Sequence, residues 1–95
     1  MEYSIALMEV QSLTAAIEGL DAMLKTSEVE LMCTERRLGG RLVTIVIKGS
    51  ISAVTAALES GVTAANRVGK VVAKAVIARP HSEILKFVGG EETVV

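Results

Sequence analysis

The densest chemistry-bearing group in this chain is Arg36-Arg37-Leu38-Gly39-Gly40-Arg41, three arginines around a glycine pair. Glycine lets backbone N–H groups turn toward a ligand, and guanidinium groups suit carboxylate and phosphate, so the loop reads as anion-facing. The same residues also make an ordinary exposed turn with solvated charges. Rotational symmetry would convert this local charge into a ring around an axis. Cys33 and His81 are the candidates for a thiol nucleophile and its base. Cys33 falls in the middle of an expected strand and His81 beyond the last one, so both read as structural. Glu28, Glu30 and Glu35 lie along a strand edge and read as a solvated face rather than paired catalytic carboxylates. The sequence has no His or Cys pair at metal-ligand spacing and no phosphate-binding glycine loop. No catalytic residue, metal or cofactor is therefore assigned, and no enzyme is expected.

Ninety-five residues allow one domain with a thin core. Hydrophobic residues make up 51% of the chain, yet Tyr3 and Phe87 are its two aromatics. That composition excludes intrinsic disorder and argues against a stacking platform for nucleic acid. Ten Lys and Arg against eleven Asp and Glu give a net charge of −1, so no basic field draws DNA or RNA. A single cysteine excludes an intrachain disulfide and fits a reducing cytoplasm. The longest charge-free stretch, Gly49–Leu58, is well short of the roughly 20 apolar residues that span a bilayer. Glu2 and Glu9 stand where a secretory signal would be basic or apolar. The expectation is a soluble cytoplasmic protein that contacts neither nucleic acid nor a lipid membrane.

The elements that position these residues follow from periodicity. Tyr3–Val10 reads as a strand. Ser12 caps a helix whose stripe is Leu13, Ala16, Ile17, Leu20, Met23 and Leu24, ending near Thr26–Ser27. Glu28–Glu35 alternates as a strand, Gly39-Gly40 makes a tight turn, and Leu42–Ile47 forms the second arm of a hairpin. Ser50 caps a second helix with the stripe Val54, Ala57, Leu58, Gly61, Val62 and Ala65, closing near Arg67 and Gly69. Val71–Ala78 reads as a fourth strand. Arg79-Pro80-His81 is a turn in which Pro80 biases Arg79 toward extended geometry. Ser82–Phe87 is a short last turn. The expected domain is 1–88, followed by a flexible tail, 89–95.

The order β-α-β-β-α-β predicts an α/β (α+β) ferredoxin-like plait, a four-stranded antiparallel sheet with both helices on one face. The helix-free face of a monomeric plait should be polar. Here Leu42–Ile47 is apolar apart from Thr44, Val71–Ala78 carries Lys74 as its one charge, and Tyr3–Met8 carries none. Both faces thus need covering, which points to an obligate oligomer.

The sequence resembles the hexagonal shell proteins of bacterial microcompartments, namely carboxysomes and the propanediol- and ethanolamine-utilisation organelles, over about Ser4 to Val88. The family's M-I-E appears as Leu7-Met8-Glu9. Its A-x-x-A-x-D-A-M-x-K is matched in part by Ala15 to Lys25. Its E-K-I-G-S-G-x-V-T-V-I-V-R-G corresponds to Arg36 to Gly49, its A-G-x-x-A-A-x-R-V-G to Ser60 to Gly69, and its closing V-I-[PA]-R-P-H to Val76 to His81. The resemblance implies a cyclic homohexamer that tiles into shell facets with other shell proteins around encapsulated enzymes. It implies that Arg37, Leu38, Gly39, Gly40 and Arg41 line a central pore for small polar or anionic metabolites. It implies that Lys25, Arg79, Pro80 and His81 make contacts at the hexamer edge. The chain departs from the pattern with Arg37 in place of lysine, Gly40 in place of serine and Arg41 where organelle members often have glycine. Arg41 has two orientations open to it, toward the axis or back to a carboxylate such as Glu35. From another class, an oligomeric small-molecule-binding regulatory plait is the alternative.

Overall fold

Two serines set where the helices begin. The Ser12 hydroxyl accepts the Ala15 N–H at 2.9 Å, and the Ser50 hydroxyl accepts that of Ala53 at 3.1 Å, each satisfying a donor of a helix first turn. The computed structural model describes residues 2–37 and 41–88. Its elements are β1 (Ser4–Val10), α1 (Leu13–Thr26), β2 (Glu30–Arg37), β3 (Leu42–Gly49), α2 (Ile51–Asn66), β4 (Val71–Ile77), a 3₁₀ turn (Ser82–Ile84) and the short α3 (Leu85–Val88). The expected tail, 89–95, lies outside the described residues.

The strands form one antiparallel sheet in the order β2-β3-β1-β4, the expected plait. Ser4 pairs with Gly49 and Val10 with Val43 across β1 and β3. Glu30 pairs with Lys48 and Arg37 with Leu42 across β2 and β3, with a register shift between Leu31 and Cys33. β2 thus starts and ends two residues later than the alternation placed it, whereas β3 starts at Leu42 as expected and runs two residues further, to Gly49. Glu28 and Val29 instead carry the chain from α1 into the sheet, with the Val29 N–H bonded to the Ser27 carbonyl.

On one face Ala6, Met8, Val10, Val43, Ile45 and Ile47 pack against Ala15, Ala16 and Met23 of α1 and Val54, Ala57, Leu58 and Ala65 of α2. The stripe expected for α2 is buried at Val54, Ala57, Leu58, Gly61 and Ala65, with Val62 half-buried at its flank. That of α1 is rotated: Ile17 is 59% exposed and Leu24 46%, whereas Ala15, Ala16, Gly19 and Met23 are buried. The cause is the closeness of the helices. A Cβ on Gly19 would lie 3.0 Å from the Gly61 carbonyl oxygen, and one on Gly61 would lie 3.2 Å from that of Gly19. Backbones that near leave room only for small residues at the contact, so the large ones are displaced to its flanks.

The helix-free face is partly covered by the chain itself, which corrects the expectation that two helices leave this to a partner. Val88 is buried against Ile5 and Val46, with Tyr3, Leu7, Met32, Cys33, Ile84 and Leu85 around them. The segment from Ser82 to Val88 reaches the middle strands. β4 stays open, with Val72 to Ala75 and Ile77 exposed.

Candidate functional site

The β2–β3 hairpin and the turn after β4 stand at opposite ends of the sheet. The hairpin closes at the Arg37–Leu42 pair, beside the ends of β1 and β4 marked by Val10, Val43 and Val71. The other end carries Ser4, Gly49 and Ile77. α1 runs back along the sheet to this second end, where the Ser27 hydroxyl donates to the Ala53 carbonyl at 2.7 Å in the first turn of α2. Lys25 therefore belongs to the same end as Arg79, Pro80 and His81. Eight-residue β3 sets the separation between the two ends at roughly 23 Å.

Of the residues expected to line a pore, Arg41 is exposed at the hairpin, and Arg37 pairs its backbone with Leu42. Leu38, Gly39 and Gly40 lie outside the described residues. On the helix-free face the next rung from the hairpin brings Glu35 and Glu9 to either side of Thr44. The Thr44 hydroxyl donates to Glu9 Oε2 at 3.5 Å. An acidic row thus stands behind the arginine-bearing hairpin.

At the far end, Lys25 Nζ meets Asp21 Oδ2 at 2.8 Å. The hydrogen bond and charge of Asp21 hold the ammonium above its ordinary range, so Lys25 stays cationic. The i, i+4 spacing of the pair is legible in the sequence. Pro80 is buried, and Arg79 and His81 are exposed beside it. His81 Nδ1 accepts the Glu83 N–H at 3.1 Å, so in the neutral ring Nε2 carries the proton. Arg79 is not extended as the following proline suggested. Its φ is 44°, in the left-handed region, and its N–H is held by the Ser4 hydroxyl at 3.3 Å.

The thiol–imidazole pair has no chemical basis in this arrangement. Burial, and then the charge of Glu35, push the Cys33 thiol up, away from the thiolate a nucleophile needs. His81 spends its Nδ1 lone pair on its own turn. Glu30 faces Lys48 at 3.9 Å, and Lys48 also lies 4.9 Å from the centre of the Tyr3 ring. Glu28, Glu30 and Glu35 are exposed, as a solvated face requires. Among the described residues no group of three or more His, Cys, Asp or Glu could hold a metal ion. No helix among them is long and apolar enough to cross a membrane.

Residues 4–80, most of the chain, match the family described as the BMC domain. The chain belongs to that family. It is 43% identical over 84 residues to the bacterial microcompartment shell protein PduA of Citrobacter freundii, covering 88% of this chain and 89% of that protein. It is 46% identical over 86 residues to the carboxysome shell protein CsoS1B of Hydrogenovibrio crunogenus, covering 87% and 88%. Among solved structures, a microcompartments protein from Desulfitobacterium hafniense DCB matches with a TM-score of 0.80 at 27% identity. That match covers all of this chain and 51% of the other. The BMC domain thus accounts for the plait and for the order of the matched segments along the chain.

Proposed function

We propose that this BMC domain protein is a structural component of a bacterial microcompartment shell, in the bacterial cytoplasm, without catalytic activity of its own. Its subunits close into a homohexamer, and hexamers tile edge to edge with other shell proteins around encapsulated enzymes. The observation that carries this reading is the separation of the arginine-bearing hairpin from the Lys25 and Arg79 end on a protomer only 18 Å thick. A flat wedge of that kind can present one end to a rotation axis and the other to a neighbouring ring. The open apolar face of β4 supplies surface for a neighbouring subunit to bury. Membership of the BMC domain family favours this reading over a ligand-binding regulatory plait.

With the hairpin at the axis, residues 37–41 of every subunit line the pore. Glycines at 39 and 40 admit close backbone approach where side chains from every copy would collide. Repetition of Arg37 and Arg41 around a narrow opening, where solvent screening is weaker, biases it toward anionic and polar metabolites. Sedimentation at micromolar concentration tests the assembly: a particle of six subunits is expected. A well-folded monomer would refute it, and a closed dimer or trimer would favour the regulatory plait. Anion density on the axis of crystals grown in sulfate, lost in Arg41→Gly, tests the pore. Arginines turned from the axis, with no anion there, would leave an unselective opening.

A further inference from the structure

We propose that Ser4 is a positioning residue for Arg79, and that its hydroxyl sets the direction in which the arginine leaves the edge of the protein. The inference rests on the reading of Arg79 as a contact between hexamers. Ser4 is a buried polar residue, only 3% exposed, at the first position of β1. A buried hydroxyl costs stability unless it is bonded, and alanine would fit the strand without that cost. Ser4 Oγ accepts the backbone N–H of Arg79 from 75 residues further along the chain.

The sheet register gives that bond its purpose. The pairing of β1 with β4 ends at Ile5 and Ile77, just before the chain turns. Two residues further on, the Arg79 N–H of the turning chain meets a side-chain hydroxyl. That anchor coincides with the left-handed φ of 44° at Arg79, a conformation that an L-residue with a long side chain seldom adopts. It also runs against the extended geometry favoured before proline. The far side of the turn is fixed independently. Pro80 is buried, His81 Nδ1 holds the Glu83 N–H, and the His81 carbonyl holds that of Ile84 at 2.9 Å. Arg79 lies between these two anchored sides, and its φ sets the direction in which its Cβ leaves the chain. The Ser4 hydroxyl holds the left-handed value.

The test is a cycle of Ser4→Ala, Arg79→Ala and the double variant. It measures the threshold protein concentration for ordered layers of intact hexamers. Ser4→Ala should raise the threshold at least threefold while leaving hexamer size and thermal midpoint unchanged. It should have no further effect in the Arg79→Ala background, and Ser4→Thr, which keeps the hydroxyl, should restore assembly. An equal effect of Ser4→Ala in both backgrounds, or none, would overturn the proposal. If Arg79→Ala alone leaves the threshold unchanged, the edge reading itself fails. Amide exchange in the unaltered hexamer serves should Ser4→Ala not fold. Protection of the Arg79 N–H despite its exposed side chain supports the anchor, and free exchange overturns it.

Discussion

Placing a methyl group on Gly61 tests the packing that holds the two helices against the sheet. An added Cβ there would lie 2.5 Å from Met23 Cε and 2.7 Å from Met23 Cγ. Met23 is 1% exposed, and its Cγ cannot move without a change of rotamer in a filled core. Separating the helices would disturb their backbone contact at Gly19. Overpacking of this kind costs about 1–3 kcal/mol. Alanine in place of a helical glycine returns about 1 kcal/mol. Gly61→Ala should therefore lose about 1 kcal/mol, which lowers the urea midpoint by about 0.5–1 M for a small domain. Met23→Ala alone should cost about 2–5 kcal/mol through the cavity it leaves. In the double variant the new methyl enters the vacated space, so its loss should fall short of the sum of the two single losses by about 1–2 kcal/mol. Urea unfolding of all four proteins at one fixed subunit concentration measures this, since assembly adds to apparent stability. Strict additivity, or a stabilised Gly61→Ala, would refute the close contact of α1 and α2.

Three further outcomes follow from other parts of the molecule. Lys25→Asp places two carboxylates together at residues 21 and 25; it should abolish layers and tubes in electron micrographs while hexamers persist in sedimentation. Val88→Ala removes two methylene equivalents from the cluster around Ile5 and Val46, so thermal unfolding should register a loss of about 1–2 kcal/mol. Cys33 is raised above its ordinary value of 9.0, so the fold holds the protonated thiol better than the unfolded chain does. Its contribution is complete below pH 9.0 and is lost as pH rises through the higher folded value, and Cys33→Ala should flatten that alkaline decline.

The plait was legible because its signals are local and agree. Ser12 and Ser50 cap the helices they were expected to cap, and Val54, Ala57, Leu58, Gly61 and Ala65 bury the expected face of α2. α1 was misread at Ile17 and Leu24, because apolar period alone counts a large residue as buried. The close approach at Gly19 and Gly61 instead gave the interface to alanines. The two-faced apolar sheet was legible, but the partner that covers Ile5 and Val46 turned out to include Val88 of the same chain. Arg79 was singled out by resemblance, but its left-handed backbone was not foreseeable. It depends on Ser4, a contact across 75 residues that no periodicity carries. The i, i+4 pair of Asp21 and Lys25, by contrast, was open to inspection.

In the proposed assembly the hairpin faces a sixfold axis while the Lys25 and Arg79 end faces the rim. A structure of the assembled particle by electron cryomicroscopy tests it most directly. Rings of six subunits are expected, with residues 37–41 around an axial opening and Lys25 and Arg79 at contacts between rings. Rings with the hairpin at the rim, or a closed assembly of another size with Arg79 buried inside it, would contradict it.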